Sequence, residues 1–345
     1  MRERFSSQVP AVCRYSVVVP MHNEEGNVEI LASRLRATMD QLGEPYELIF
    51  VDDGSTDGTF AALAQMAERS PEVRVVKLKR NFGQTPALAA GFDNAAGEII
   101  IAMDGDLRSD PADIPLLLDK LDEGYDVANG WRRQRSHEGF LRTFPSRVAN
   151  RWLSRLSGVD IQDFGTTFKA YRREVVEHFR LYGEQHRYLP VIAAWQGAKI
   201  AEVPVSDSPR KFGKSHYGFG RTLRVPFDLL ALKFLQHYRT APLRLFGIPG
   251  ALSFLAGLAA LGYAFIRPLV SGGSPFAGEG AAVVVAAVLL LAALQLLGMG
   301  LLGELMALSY LGPQREPSYR VERIVTGADE LIAQAAARAK AAGSQ

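Results

Sequence analysis

Glu98-Ile99-Ile100-Ile101-Ala102-Met103-Asp104-Gly105-Asp106 decides how this chain is read. Three β-branched residues in an apolar run predict a buried strand. The run stops at two carboxylates separated by one glycine. Like charges so close repel, and a buried strand has no structural use for them at its exit. A divalent cation removes the repulsion, because Mg²⁺ and Mn²⁺ take hard oxygen ligands and are often held by one or two carboxylates plus substrate phosphates. The alternative is a solvated Asp-Gly-Asp turn.

Two earlier stretches repeat the pattern. Tyr15-Ser16-Val17-Val18-Val19-Pro20 runs into Met21-His22-Asn23-Glu24-Glu25. Tyr46-Glu47-Leu48-Ile49-Phe50-Val51 runs into Asp52-Asp53-Gly54-Ser55-Thr56-Asp57-Gly58-Thr59. Helical periodicity follows each turn, over about 25–42, 58–69 and 86–95, and Ser70-Pro71 stops the second helix. Strands alternating with helices predict an α/β domain with a mostly parallel sheet and helices on both faces. Ligands bind at the carboxyl ends of such strands, which is where the acids gather. No Gly-x-Gly-x-x-Gly follows the first strand and no Gly-Lys-Ser/Thr occurs, so neither a dinucleotide fingerprint nor a P-loop is present. Phosphates are then left to a metal and to basic side chains. These occur at Trp131-Arg132-Arg133-Gln134-Arg135, at Glu184-Gln185-His186-Arg187-Tyr188 and over 208–218, although each run taken alone reads equally as a solvated charged surface.

The 345 residues suffice for one large domain with an appendage, or for two domains. With 39 basic and 37 acidic residues there is no general charge argument for nucleic-acid binding. Cys13 is the sole cysteine, so no intrachain disulfide can form. Met1 to Pro10 are polar and lack the apolar core of a signal peptide.

Composition changes near Ala241. About 22 uncharged residues at 245–266 and about 23 at 281–303 are each long enough for a membrane-spanning helix, the alternative being buried helices of a soluble domain. Gln295, the one strongly polar side chain of the second span, is expected to face another helix. Arg221, Arg224, Lys233, Arg239 and Arg244 precede the first span, and Arg315, Arg320 and Arg323 follow the second. The positive-inside bias places both ends in the cytoplasm. Leu223, Phe227, Leu230 and Phe234 recur at helical spacing and suit an amphipathic helix at the headgroup level, or a helix packed on the globular domain. The expected divisions are a cytoplasmic catalytic domain over 1–220, an interfacial helix over 221–241, two spans within 242–310 and a cytoplasmic tail over 311–345.

Val-Val-Val-Pro-x-x-Asn-Glu at 17–24, Val-Asp-Asp-Gly-Ser-x-Asp-Gly-Thr at 51–59, Arg80-Asn81-Phe82-Gly83-Gln84 and Asp104-Gly105-Asp106 resemble the inverting GT-A glycosyltransferases of family two. Asp163-Phe164-Gly165, the stretch Phe168 to Glu174, Glu184…His186-Arg187 and Arg210-x-x-Gly-x-Ser-x-Tyr217 narrow the resemblance to membrane-anchored polyprenyl-phosphate glycosyltransferases, the branch that includes dolichol-phosphate mannose synthases. The resemblance implies a Rossmann-like GT-A fold and a Mg²⁺ or Mn²⁺ cofactor. It implies that Pro20, Asn23, Glu24, Asp52, Asp53, Gly54, Asn81 and Gly83 bind the donor nucleotide, and that Asp104 and Asp106 hold the metal and diphosphate. Arg132, Arg133, His186, Arg187, Arg210, Lys214, Ser215 and His216 would face the acceptor phosphate. Self-association through the spans is also implied. Two positions depart from the family pattern. Arg108 stands where Gln is usual, and a guanidinium cannot ligate a cation, so Arg108 is expected outside the metal shell, pointing at donor phosphate or solvent. His216 stands where Lys or Arg is common.

The expected reaction is inverting transfer of one hexose from a nucleotide sugar, UDP-glucose first, to a polyprenyl phosphate on the cytoplasmic leaflet. GDP-mannose and a UDP-aminoarabinose derivative are the alternative donors. A phosphate acceptor is largely ionised near neutral pH, so no strong base is required. Asp163 is expected either to orient the acceptor or to serve as a turn acid. A processive polysaccharide synthase fits less well, since two spans are few for a polymer channel. A non-catalytic nucleotide-sugar sensor is the third reading, and Arg108 is its best support.

Overall fold

The computed structural model describes residues 13–132, 154, 159, 161–177, 179, 185–208, 242–270, 280–311 and 317–327. Two compact units result, one from Met1–Thr222 with Pro317–Gln345 and one from Leu223–Glu316.

The first unit is built on an 8-stranded sheet. Its strands are β1 (Tyr15–Met21), β2 (Tyr46–Asp52), β3 (Val73–Leu78), β4 (Ile99–Ala102), β5 (Val127–Trp131), β6 (Lys169–Arg172), β7 (Ile200–Pro204) and β8 (Val321–Thr326). Their spatial order is β7-β5-β6-β4-β1-β2-β3-β8. β4, β1, β2 and β3 run parallel, and β5 pairs parallel with β7. β6 is antiparallel to both β4 and β5, and β8 is antiparallel to β3 at one edge. The sheet is therefore mostly parallel but mixed.

Alternation along β1 explains the layering. Val17 and Val19 enter one core with Leu31, Leu35, Leu63, Met66, Ile114 and Leu117. Val18 points the other way, into a core with Ala87, Leu88, Val176 and Leu189. Helices α1 (Val28–Leu42), α2 (Thr59–Arg69) and α4 (Ile114–Asp122) thus cover one face. Helices α3 (Gln84–Asn94), α5 (Arg173–Glu177) and α6 (Leu189–Trp195) cover the other. The first three helices fall close to the spans expected from periodicity. Ser70 closes α2 in an extended conformation, as the following proline requires.

The second unit is a helical pair, α7 (Pro242–Val270) and α8 (Gly280–Leu311). Both are long and apolar enough to cross a membrane, and only 11 % of each apolar window is buried. A core helix of a soluble protein would be mostly buried, whereas here Leu252, Leu255, Val284, Val288 and Leu294 face outward. The two helices meet through small residues. Ala264, Ala286 and Ala293 are buried, and a Cβ on Gly257 would lie 2.9 Å from Leu290 Cγ. Close packing through small side chains is how helices associate in lipid. Gln295 is exposed on this helical pair. The amphipathic stretch expected over 221–241 lies outside the described residues.

Candidate active site

Three loops interlock at the carboxyl edge of β1, β2 and β3. Beyond β1, Asn23 adopts a left-handed φ of 56°. Its amide donates to Ser55 Oγ (3.0 Å), and its Oδ1 accepts from the Thr56 amide (2.8 Å). The Glu24 amide donates to Thr59 Oγ1 at 2.9 Å. The loop after β2 is thereby fixed to the loop after β1. It also crosses the loop after β3, and Gly54 is what permits the crossing. Its φ is 64°, and a Cβ there would sit 2.4 Å from the Arg80 carbonyl carbon.

Two buried acids at the end of β2 have different jobs. Asp53 accepts from the amides of Phe82 (2.8 Å) and Gly83 (2.9 Å), one on each carboxylate oxygen. Burial raises its pKa, and those two amides oppose the rise. Asp53 is therefore a clamp on the 80–83 loop. Asp52 is fully buried. Its Oδ1 accepts from the Ser55 amide at 3.1 Å, while its Oδ2 has no hydrogen-bond partner among the described residues. A buried carboxylate oxygen left unsatisfied is costly, so Oδ2 is an acceptor suited to a donor group on a ligand.

Asp104 and Asp106 leave β4 on a turn held by Met103 N–H donating to the Val18 carbonyl (3.1 Å). Leu107, buried with a φ of 60°, completes the turn, and the Arg108 amide donates to Asp106 Oδ1 at 3.2 Å. Gln84 Nε2, at the start of α3, donates to Asp104 Oδ1 at 2.6 Å and to Thr167 Oγ1 at 3.0 Å. The Asp104 carboxyl is pushed up to about 6, first by burial and then by the Asp106 charge, against the pull of Thr167, Arg132 and Lys169. A divalent cation would relieve that repulsion. No cluster of three or more His, Cys, Asp or Glu side chains is found among the described residues. Two carboxylates without a third protein ligand fit Mg²⁺ or Mn²⁺, which complete their shells with phosphate and water.

A cationic group faces the two acids from β5 and β6. Asp163, 2 % exposed, accepts from Arg132 Nε (2.8 Å) and Nη2 (3.2 Å) and from the Gly165 amide (3.0 Å). Burial works against the Arg132 charge, but Asp163 outweighs it and holds the guanidinium above its ordinary value. Glu202 on β7 accepts from the amides of Gln162 (2.8 Å) and Asp163 (3.1 Å), and Asn129 Nδ2 donates to the Asp163 carbonyl at 3.0 Å. Lys169 is 1 % exposed and its Nζ donates to the Thr166 carbonyl. Burial pushes its ammonium down to about 8 despite nearby Asp163 and Asp104, and Arg132 and Arg187 add to the depression.

Residues 16–180 match the model of glycosyl transferase family 2. The chain is 38% identical over 314 residues to a dodecaprenyl-phosphate galacturonate synthase of Rhizobium johnstonii, covering 90% of this chain and 92% of the relative. The chain belongs to glycosyl transferase family 2. Undecaprenyl-phosphate 4-deoxy-4-formamido-L-arabinose transferases are similarly related. That of Klebsiella pneumoniae is 34% identical, over 92% of this chain and 95% of its own. That of Pseudomonas aeruginosa is 36% identical, over 94% of each. Among solved structures, glucosyl-3-phosphoglycerate synthase from Mycobacterium tuberculosis, in complex with Mn²⁺, UDP and glucosyl-3-phosphoglycerate, superposes with a TM-score of 0.49 at 20% identity, over 65% of this chain and 80% of that one.

In this family 2 glycosyltransferase the donor-side residues named from sequence come together. Pro20, Asn23, Glu24, Asp52, Asp53 and Gly54 lie at or beyond the ends of β1 and β2, and Asn81 and Gly83 lie on the loop clamped by Asp53. On the acceptor side, Arg132 is on Asp163. His186 is buried, its Nδ1 2.7 Å from Thr85 Oγ1 at the start of α3, and Arg187 lies near enough to depress Lys169. Arg133, Arg210, Lys214, Ser215 and His216 lie outside the described residues. Arg108, partly exposed, is paired with a protein carboxylate. Its Nη2 reaches both oxygens of Asp207, at 3.0 and 3.1 Å, because the segment after β7 runs beside the Asp-x-Asp turn, where the Ser208 amide donates to the Arg108 carbonyl (2.9 Å). Gln84, Thr167, Lys169, Glu202 and Asp207 were not among the residues expected from sequence. Gln84 and Lys169 lie inside stretches that carried the family resemblance, which was the available signal.

Proposed function

We propose that this glycosyltransferase moves one sugar from a nucleotide-diphosphate donor to a polyprenyl phosphate at the cytoplasmic face of a membrane. The observation that carries this reading is the similarity to enzymes named as polyprenyl-phosphate sugar transferases across at least 90% of both chains, helical pair included. Their names concern galacturonate and a formamido-arabinose. They favour a polar nucleotide-linked sugar of that kind, such as the aminoarabinose derivative, over the UDP-glucose expected first.

Each residue then has a task. Asp52 Oδ2 accepts from the nucleoside, and the Asp53 clamp holds the 80–83 loop against it. Asp104 and Asp106 would hold Mg²⁺ or Mn²⁺, which when bound acts as a Lewis acid on the diphosphate. Arg132, oriented by Asp163, presents a cation to the acceptor phosphate. An oxygen of that phosphate attacks the anomeric carbon as the bond to the diphosphate breaks, and the electron pair leaves with the diphosphate. One displacement inverts the centre, so an α-linked donor gives a β-linked product. With both carboxylate oxygens turned to Arg132 and Gly165, Asp163 serves to orient Arg132 and is not needed as a base. Arg108, the feature that favoured a non-catalytic sensor, is directed to Asp207 and leaves the two metal acids in place.

Chain connectivity supports the proposed topology. Residues on both sides of the helical pair belong to one compact unit, so the pair is an out-and-back excursion. Its basic flanks support a cytoplasmic catalytic unit. The outward Gln295 is a polar group that a helix of a second copy could satisfy, which supports self-association.

The test is transfer by purified protein, in detergent, of sugar from a panel of nucleotide sugars to undecaprenyl phosphate, with Mn²⁺ or with EDTA. Formation of an acid-labile glycolipid with Mn²⁺ alone is expected. No lipid-linked product from any donor in the panel would count against the proposal.

A further inference from the structure

The loop that closes the donor side is braced from behind by residues that follow the helical pair. This loop, residues 79–83, joins the end of β3 to the start of α3, and its Phe82 and Gly83 amides hold Asp53. At its first residue, the Lys79 amide donates to the Arg320 carbonyl at 3.0 Å. Beyond the loop, Tyr319 Oη donates to Asp93 Oδ2, near the C-terminal end of α3, at 2.7 Å. The Tyr319 ring is 8 % exposed and belongs to the core that includes Leu78, Ala87 and Leu88, with Phe82 packed against it. Neighbouring residues 319 and 320 thus tie the start of the loop and the helix into which it leads. Between the loop and the returning chain lies a cavity of about 290 Å³ lined by Arg80, Phe82, Pro317, Ser318, Tyr319 and Arg320. The loop leaves open space on that side, so these ties add to the hold of Asp53 on it.

We infer that Tyr319 is a positioning residue for donor binding, acting through the 79–83 loop and α3. The loop sets the two amides on Asp53, and α3 begins with Gln84, which holds Asp104. Loosening the brace shifts both, and both lie on the donor half of the site. Arg132 and Asp163 depend on β5 and the segment before β6, which Tyr319 does not touch through these ties. The consequence is selective: donor binding weakens far more than acceptor binding, which α3 reaches through Thr85 on His186 and Gln84 on Thr167. The segment that leads into β8 therefore supports the donor site although the sequence separates it from that site by the whole helical pair.

The inference rests on the donor-pocket reading above, and the experiment separates the two. Full-length wild type, Tyr319→Ala, Tyr319→Phe and Asp93→Asn are compared in detergent. Calorimetry gives the Kd of UDP and of GDP in the presence of Mn²⁺, and kinetics give the KM of undecaprenyl phosphate. Tyr319→Ala is expected to raise the nucleotide Kd about tenfold. Tyr319→Phe, which keeps the ring and loses only the hydrogen bond, should raise it about two- to threefold, and Asp93→Asn, whose Oδ1 still accepts from Tyr319 but without the charge, by less. The acceptor KM should stay near wild type in all three. Hydrogen exchange of the peptide covering 79–84 should quicken in the same order. A nucleotide Kd unchanged in Tyr319→Phe and Asp93→Asn, with exchange also unchanged, overturns the inference. So does parallel weakening of donor and acceptor, which a merely structural role would produce. Wild-type protein that binds neither nucleotide overturns the donor-pocket reading and this inference with it.

Discussion

Asp104 and Asp106 share a turn that neutral protein groups only partly compensate, and this makes the metal assignment testable at single residues. Asp106→Asn should fold, because asparagine keeps the Oδ1 that accepts the 3.2 Å bond from the Arg108 amide in the turn. It should lose more than the roughly 10–100-fold typical of an outer-shell change in a metal site. Equal turnover by mutant and wild type, each with and without EDTA, would sink the assignment. Arg108 tests the opposite case. Asp207 is 4 % exposed and Arg108 only partly so, and removing one partner of such a pair leaves a desolvated charge. Arg108→Gln should lower stability by about 1–2 kcal/mol, less than a fully buried pair, because water screens the arginine. Adding Asp207→Asn should restore part of the loss, and Mn²⁺ affinity should be retained throughout. Thermal melts and Mn²⁺ titration decide, and a large loss of Mn²⁺ binding contradicts the structure. Cys13 gives a pH prediction. Its thiol is pushed up to about 11, first by burial and then by Glu47. The neutral form is favoured in the fold, so this contribution is complete below pH 9 and fades as pH rises toward 11. Alkylation of this sole cysteine by iodoacetamide should be slow at pH 8 in native protein and fast in urea; equal rates would refute it.

Elements are held in register by the loops that leave them. The β2 loop crosses the β3 loop at Gly54, where neither a positive φ nor a 2.4 Å approach to backbone tolerates a side chain. Gly54→Ala should cost about 1–3 kcal/mol, the usual scale for a strained backbone position. It should also weaken nucleotide binding, because the displaced neighbour is the loop that carries the Asp53 amides. Denaturant melts alongside nucleotide titration check both parts, and a variant as stable as wild type would show that the loops separate without cost.

At the scale of the whole molecule, the outward faces of α7 and α8 are apolar along most of their length, and the fold returns to its own sheet after them. The chain should stay with membranes through high-salt and carbonate washes, since two spans insert far more firmly than a basic surface helix. Reporters placed before 242 and after 327 should label from one side, and a reporter within 271–279 from the other. Release by either wash, or flanks on opposite sides, would exclude the excursion.

Sequence by itself determined the elements whose signal is local. Val17-Val18-Val19 and Ile99-Ile100-Ile101 are strands because adjacent β-branched residues fit a sheet buried on both faces. The acids at their exits mark the binding edge, and uncharged runs of helical length mark the apolar pair. Tertiary structure decided whatever depends on a partner distant in the chain. Asp52 and Asp53 are adjacent and chemically identical, yet one clamps amides 29 and 30 residues away and the other keeps an oxygen unpaired among the described residues. Arg108 finds an acid 99 residues on, and Tyr319 finds Asp93 across 226. The 321–326 strand, part of an expected tail, is a strand because the open edge of β3 offers it unpaired backbone groups. Periodicity is written in neighbouring residues, whereas the choice of a hydrogen-bond partner depends on where the folded chain brings each group to lie.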